Sequence, residues 1–166
     1  MHHNEPLRPS NTGWLVADVV PDTVAFSWSR MAPDPRLLAL LSDPQWRPFL
    51  VYPSGSVATA TDVVTRTGSE GGGRRPLYVI LDGSWSESRR MFQRSPYLHG
   101  IPVIALEPEG PSRYRLRRSG KDANLCTAEV AALCLRLSGD ADAAQALDAW
   151  LDLFVSRSLV CRGYRE

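Results

Sequence analysis

Hydrophobic positions in this chain of 166 residues occur as short continuous runs or at helical spacing, with polar segments between them. A continuous Val/Ile/Leu run is typical of a strand buried on both faces, whereas a period near 3.6 indicates an amphipathic helix. The continuous runs predict buried strands at residues 49–52, 76–81 and 101–106. An alternating segment at residues 24–28 predicts one further strand.

Capping residues mark the starts of the predicted helices, and glycine or proline marks several of their ends. The apolar stripe of the last helix is predicted to pack into the core. The predicted helices are residues 14–20 after a cap at Asn11 or Thr12, residues 35–41 after a cap at Asp34, residues 85 to near 100, residues 127–137 with a hydroxyl cap and a closing Gly139, and a last helix with the stripe Leu147, Trp150, Leu151, Phe154 and Val155.

Strands and helices alternate along the chain, and this alternation predicts an α/β fold whose mostly parallel sheet is flanked by helices. The length and a hydrophobic content of 43% fit one globular unit with a sizeable core. We therefore expect a single domain over residues 1–166.

The strand at residues 76–81 ends at Asp82, Gly83, Ser84 and Trp85. In parallel α/β sheets, ligands bind at the carboxyl ends of the strands, so this junction is a candidate active-site edge. Gly83 lets the backbone turn and approach a ligand, and Ser84 is a suitable cap for the following helix. The alternative is a plain strand-to-helix turn in which Trp85 anchors the core.

Other short motifs surround this junction. His-Asn-Glu-Pro at residues 3–6 and Pro-Ser-Asn-Thr-Gly at residues 9–13 precede it, and Ser-Arg-Tyr-Arg-Leu-Arg at residues 112–117 and Leu-Cys-Thr-Ala-Glu-Val at residues 125–130 follow it. Together with Asp-Gly-Ser-Trp, in this order and at these gaps, they closely resemble the DTW-domain family over nearly the whole chain. Ser84 stands where the family usually has threonine, a change that keeps the hydroxyl group.

The resemblance implies a fold and an activity. Members of the family are tRNA-uridine aminocarboxypropyltransferases, which use S-adenosylmethionine to place a 3-amino-3-carboxypropyl group on N3 of a uridine and release methylthioadenosine. The family relationship also implies a SPOUT-like fold in which the chain near the cofactor site forms a trefoil knot, a feature that periodicity and spacing do not show.

Three loops are expected to converge on S-adenosylmethionine if the buried strands are neighbours. One loop follows Tyr52, the second follows Leu81, and the third spans residues 125–127. Leu106 and Leu125 are alternatively core residues. By resemblance, the cofactor set comprises Leu106, Leu125, Cys126 and Thr127 near the nucleoside and Asp82 and Gly83 nearer the sulfonium, and it is completed by Tyr52, Pro53, Leu81 and Ser84.

The predicted catalytic residues are Asp82 and its neighbour Trp85. The nucleophile N3 of uridine is a weakly acidic imide, and a positioned carboxylate such as that of Asp82 can accept its proton. The same carboxylate can instead hold the ammonium group of the cofactor, and the sequence leaves both roles open. Glu5 is a second candidate acid. Glu129, in the first turn of a helix, is interpreted as complementing the helix dipole.

The net charge is only +1, but basic residues concentrate between Arg74 and Lys121 while the C-terminal part is acidic. A basic face can bind a polyanion even in a neutral protein, because local potential steers the encounter. Tyr114 lies between arginines and offers a ring on which a base can stack. A solvated charged face is the alternative. The predicted RNA-binding residues are Arg89, Arg90, Arg94, Arg113, Tyr114, Arg115, Arg117 and Arg118.

Cysteine spacing and hydropathy exclude several classes of protein. Cys126, Cys134 and Cys161 are odd in number and widely spaced, so we expect small core residues rather than a disulfide framework or a zinc site. Many DTW-domain proteins carry a cysteine-rich zinc-binding segment before the residues matching 3–5, and we expect a catalytic domain without it. No run suits a membrane span or a signal peptide. We therefore expect a metal-free, cytoplasmic monomer that acts on tRNA.

Two alternatives to this transferase stay open. A SPOUT-type RNA methyltransferase would use the same cofactor but release S-adenosylhomocysteine. A non-catalytic RNA-binding module would keep the arginines without needing Asp82. The sequence identifies neither the uridine position nor the target tRNAs.

Overall fold

The structure, a computed structural model, describes residues 1–53, 63–64, 73–106, 110–116 and 125–163. The chain forms two compact units. The sheet unit comprises Met1–Arg8 and Val24–Glu107, and the helical unit comprises Pro9–Thr23 and Pro108–Glu166. The expectation of one domain over residues 1–166 stays a prediction, as do the SPOUT-like fold and the knot.

The sheet unit contains a four-stranded sheet in the order β2-β4-β1-β3. Every pairing is parallel, which confirms the α/β class and the mostly parallel sheet. Each predicted buried strand is present with slightly different ends. The strands are β1 (Trp46–Pro53), β2 (Val63–Val64), β3 (Arg75–Ile80) and β4 (Val103–Leu106).

Five α-helices lie within the part of the chain that the structure describes. The predicted cap at Asp34 is confirmed, since its side chain accepts the backbone N–H of Arg36. At the first helix, Asn11 Oδ1 accepts the backbone N–H of Gly13 at 2.7 Å. The helices are α1 (Gly13–Val19), α2 (Pro35–Ser42), α3 (Trp85–Gln93), α4 (Thr127–Leu137) and α5 (Ala141–Cys161).

The core of the sheet unit is built around β1. Residues 49–52 are all buried, as an apolar run on both faces of a central strand requires. Leu50 and Tyr52 form a cluster with Leu98 and Val103, and Phe92 from α3 packs against it. This packing holds the last turn of α3 and, through Val79, the end of β3 against the centre of the sheet.

Residues 24–28 do not form the predicted strand. The segment instead exchanges backbone hydrogen bonds with a single residue: the Met1 amino group donates to Phe26 O at 2.6 Å, and Trp28 N donates to Met1 O at 2.8 Å. Because a strand requires a ladder of pairs along a neighbour, two bonds to one residue leave the segment irregular.

The helix predicted to reach Gly100 ends at Gln93. Pro96 disfavours the helical conformation of Ser95, which adopts φ −116° and ψ 83°. A short 3-10 helix over Pro96–Leu98 follows, and Gly100 takes φ +88° in the next turn.

The helical unit packs α4 and α5 against each other and against α1. Within the predicted stripe of α5, Leu147, Leu151 and Val155 are buried. Trp150 is 38% exposed, so its assignment to the core is wrong. Its indole Nε1 donates to Asp18 Oδ2 at 3.0 Å, which ties α5 to α1.

Candidate functional site

The Asp-Gly-Ser segment, residues 82–84, joins β3 to α3 at the carboxyl edge of the sheet. Val51 of β1 lies opposite Ile80, the last residue of β3, and Pro53 lies opposite Leu106, the last residue of β4. The carboxyl ends of these three strands therefore share one edge. This edge carries Tyr52, Pro53, Leu81, Asp82, Gly83 and Leu106 from the predicted cofactor set.

Asp82 is an acid with only 7% exposure. Its backbone carbonyl accepts the N–H of His2 at 2.8 Å, so residues 1–8 pack directly beside the motif. Burying a carboxylate is costly unless partners compensate the lost hydration. A buried acid at the ligand-binding edge of a parallel sheet is therefore the central feature of the site.

The charge of Asp82 acts on a buried ammonium group. Burial lowers the pKa of the Met1 ammonium group, and the negative charges of Asp82 and Glu5 raise it in part. Glu5 is also buried and is ion-paired with Arg8. Both carboxylates therefore favour the charged form of this ammonium group, and Arg8 balances the charge of Glu5.

Glu87 links the motif to the N-terminal segment. Its Oε2 accepts the Ser84 backbone N–H at 2.8 Å and also the Ser84 hydroxyl, and Ser84 caps α3 as predicted. Its Oε1 lies 3.2 Å from Arg8 Nη2 and 3.3 Å from His2 Nδ1. Burial raises the pKa of the Glu87 carboxyl, but the Ser84 hydrogen bonds and the charges of Arg8 and His2 outweigh it, so the net shift is downward.

Sequence reasoning missed Glu87, although a signal was present. Serine followed three residues later by glutamate, at the start of a helix, is the capping-box pattern. It also missed His2, whose ring is buried and stacks on Trp28 with centroids 6.1 Å apart. Within the described residues, His2 Nδ1 has no hydrogen-bond partner. Its neighbour, the Glu87 carboxylate, lies at 3.3 Å without hydrogen-bond geometry.

Gly83 lies in a bend of the backbone, as predicted, although its φ is outside the left-handed region. The residue also allows close packing. A Cβ at this position would lie 3.2 Å from Glu87 Cβ and 3.5 Å from His2 Cβ. Ser88 holds the same segment from α3, because its hydroxyl donates to Leu81 O at 2.9 Å.

Trp85 and Tyr52 differ in their access to ligand. Trp85, the first residue of α3, is 36% exposed, so the interpretation as a core anchor is wrong. Tyr52 is buried against Phe92, and burial raises the pKa of its hydroxyl while the charge of Arg89 lowers it in part. Leu81 and Leu106 are half-buried and give the edge an apolar surface.

Residues 125–127 belong to the helical unit, where they lead into α4. The predicted hydroxyl cap is wrong: Cys126 is the N-cap residue, and its backbone N–H donates to Glu129 Oε2 at 2.6 Å. Thr127 is the first helical residue and Leu125 is half-buried. Burial and the charge of Glu129 raise the pKa of the Cys126 thiol to about 12.

Glu129 does more than complement a dipole. This buried carboxylate also accepts the Ser112 hydroxyl at 2.8 Å and the Arg113 backbone N–H at 2.6 Å. It therefore joins the motif at residues 112–117 to the start of α4, within the helical unit. The sequence spacing gave no signal for this contact.

The predicted RNA-binding residues occur in both units. Arg89, Arg90 and Arg94 are exposed along α3 and at its end. Arg113 forms an ion pair with Asp152, and its Nη1 lies 3.4 Å from Asp148 Oδ1. Arg115 is exposed, and the Tyr114 hydroxyl donates to Ser10 O at 2.7 Å. Arg117 and Arg118 lie outside the described residues, and RNA binding by this set stays a prediction.

Cys126 and Cys134 are buried as expected, but Cys161 is exposed at the end of α5, so its assignment to the core is wrong. Within the described ranges, no three His, Cys, Asp or Glu side chains are placed to hold a metal ion. No helix among those residues is long and apolar enough to cross a membrane.

Comparison with known proteins decides the family. The model of the DTW domain matches residues 1–159. The chain belongs to the DTW family. Within this DTW chain, a stretch of 99 residues is 30% identical to tRNA-uridine aminocarboxypropyltransferase 2 of Drosophila melanogaster, and the match covers 60% of the chain but 36% of that relative. No solved structure matches the chain.

Proposed function

We propose that this DTW protein transfers the 3-amino-3-carboxypropyl group of S-adenosylmethionine to N3 of a uridine in tRNA. The family match and the name of the fly relative support a tRNA-modifying transferase. The observation that carries the proposal is the buried carboxylate of Asp82 at the carboxyl edge of a parallel sheet.

The residues at this edge of the sheet fit S-adenosylmethionine. A ligand that carries an ammonium group and a sulfonium is cationic, and Asp82 and Glu5 supply negative charge that already acts on one buried ammonium group. Leu81 and Leu106 supply apolar surface for the nucleoside, as small-molecule sites require. Gly83 permits close approach of the backbone.

When bound, S-adenosylmethionine supplies an electrophilic methylene next to its sulfonium. Asp82 either holds the ammonium group or accepts the proton of uridine N3, and its position beside residues 1–8 is fixed by the His2 hydrogen bond. Glu87 orients the following segment by binding both the backbone and the side chain of Ser84. Trp85 is exposed enough to contact a substrate base.

The coproduct of the reaction tests the proposal. The protein is incubated with S-adenosylmethionine and unmodified tRNA, and the released nucleoside is identified by mass spectrometry. We expect methylthioadenosine, with release dependent on tRNA. Release of S-adenosylhomocysteine would instead indicate the methyltransferase alternative. Binding of tRNA without either coproduct would indicate a non-catalytic RNA-binding module.

A further inference from the structure

A cavity of about 480 Å³ opens in the sheet unit on the side away from the DTW motif. It lies at the amino-terminal edge of the sheet, because Pro48 near the start of β1 and Pro102 just before β4 both line it. Leu50 N donates to Pro102 O at 2.9 Å, which fixes the start of β4 beside the middle of β1. Nothing in the proposed reaction uses this cavity.

Parallel pairing brings two arginines to this edge. Arg47 lies opposite Pro76, and Arg75 N donates to Gln45 O at 3.1 Å, so the chain at Arg74 enters the sheet next to the start of β1. Arg47 and Arg74 both line the cavity. The fork of a guanidinium suits the oxygens of a phosphate group.

The other walls of the cavity are apolar or aromatic. Leu41 and Ile101 line it, and His99 adds a polar ring. The half-buried Tyr97 also lines it, with its hydroxyl donating to Ser29 O at 3.1 Å, which holds the ring in place. A volume of this size is within the usual range for a small-ligand site of roughly 300–1,000 Å³.

We propose that this cavity binds a nucleoside monophosphate unit, with the phosphate on Arg47 and Arg74 and the base against Tyr97. The ligand is either a free nucleotide or one nucleotide of an RNA, since both present the same phosphate and base. The proposal does not depend on the transferase function, because the cavity and the motif lie at opposite edges of the sheet.

Calorimetry with uridine 5′-monophosphate, uridine and inorganic phosphate tests the proposal. We expect the monophosphate to bind more tightly than uridine, and phosphate to compete with it. Arg47→Gln and Arg74→Gln should each weaken its binding by at least about tenfold, the loss expected for one charge-assisted hydrogen bond. Arg47→Lys and Arg74→Lys should keep part of the affinity. Arg157→Gln, an exposed arginine on α5, is the matched control and should bind normally.

The proposal is overturned if the monophosphate does not bind at millimolar concentration, or if it binds equally to the wild type and to a folded Arg47→Gln/Arg74→Gln double variant. Should the double variant fail to fold, a lack of competition by inorganic phosphate in the wild type also overturns it.

Titration of tRNA at several salt concentrations separates the two ligand sources. An RNA source predicts a log-log salt slope reduced by about 0.7 to 0.9 in each Gln variant, whereas a free nucleotide predicts an unchanged slope. Normal binding of S-adenosylmethionine by the same variants would show that the motif edge is intact.

Discussion

At the scale of single residues, each unit contains carboxylates that are buried or half-buried. Asp82 lies beside the N-terminal segment, Glu87 binds Ser84, and Glu129 binds three donors in the helical unit. A buried carboxylate that loses its charge leaves its donors with a weaker acceptor. Charge-removing amide substitutions at these positions therefore have specific expected effects.

Replacing Asp82 by asparagine distinguishes its two candidate roles. If the carboxylate accepts the N3 proton, Asp82→Asn should lower the transfer rate by roughly 100-fold or more while S-adenosylmethionine affinity stays unchanged. If it anchors the ammonium group, affinity should fall as well. Transfer kinetics and calorimetry measure both quantities, and Asp142→Asn on the exposed side of α5 is the control. An Asp82→Asn enzyme with normal rate and affinity would exclude both roles.

The cysteines should differ in reactivity. Burial raises the pKa of the Cys126 and Cys134 thiols to about 12, so both stay protonated and shielded at neutral pH. Cys161 is exposed. In the native protein, a thiol reagent such as dithionitrobenzoate should therefore modify Cys161 alone at a fast rate, because the thiolate is the reactive form. Cys161→Ser should abolish this fast phase. Rapid native labelling of Cys126 or Cys134 would contradict the buried position of these thiols.

At the scale of elements, the start of α3 should be sensitive to acid. The pKa of Glu87 is lower in the folded protein than its ordinary value of 4.5. A lowered folded-state pKa contributes stability that is present above the unfolded-state value and is lost as pH falls through the folded-state value. Glu87→Gln should therefore lower the free energy of unfolding at pH 7, and the difference from wild type should shrink below about pH 4.5. Urea unfolding across this range measures it, and a difference that stays constant with pH would contradict the assigned contacts.

The start of α4 should depend on the hydrogen bonds that Glu129 accepts. Glu129→Gln replaces a charged acceptor of three hydrogen bonds by a neutral amide, and we expect a loss of about 1–3 kcal/mol in the free energy of unfolding. Urea unfolding at neutral pH, with Asp142→Asn as control, gives the value. A wild-type stability for Glu129→Gln would mean that the carboxylate does not hold residues 112–113 to α4.

Local patterns were sufficient to predict many of the elements and insufficient for the contacts between them. The apolar run at residues 49–52 and the last four residues of the run at 101–106 are strands because central positions in a parallel sheet require such runs. Alternation at residues 24–28 failed as a signal, since it does not show whether a neighbouring strand exists. The contacts of His2 and Glu129 join residues far apart in sequence, and no spacing rule encodes them.

At the scale of the whole molecule, the chain combines a sheet unit and a helical unit, and each contains different candidate functional residues. The sheet unit holds the motif edge and the arginine-lined cavity, and the helical unit holds Glu129, Tyr114 and Arg115. If Arg115 contacts an RNA phosphate, Arg115→Ala should reduce the log-log salt slope of tRNA binding by about 0.7 to 0.9, whereas Tyr114→Ala should leave it nearly unchanged. Filter binding at several salt concentrations measures both. Wild-type affinity and slope in Arg115→Ala would remove this residue from the RNA-binding set.

The fate of the donor label tests the proposed transfer reaction. Two samples of S-adenosylmethionine, one labelled in the methyl group and one in the aminocarboxypropyl carbons, are each incubated with the protein and unmodified tRNA, and the tRNA nucleosides are analysed by mass spectrometry. We expect that a uridine derivative acquires only the aminocarboxypropyl label and that Asp82→Asn abolishes most of this incorporation. Incorporation of the methyl label, or of neither label by a folded protein that binds the tRNA, would contradict it.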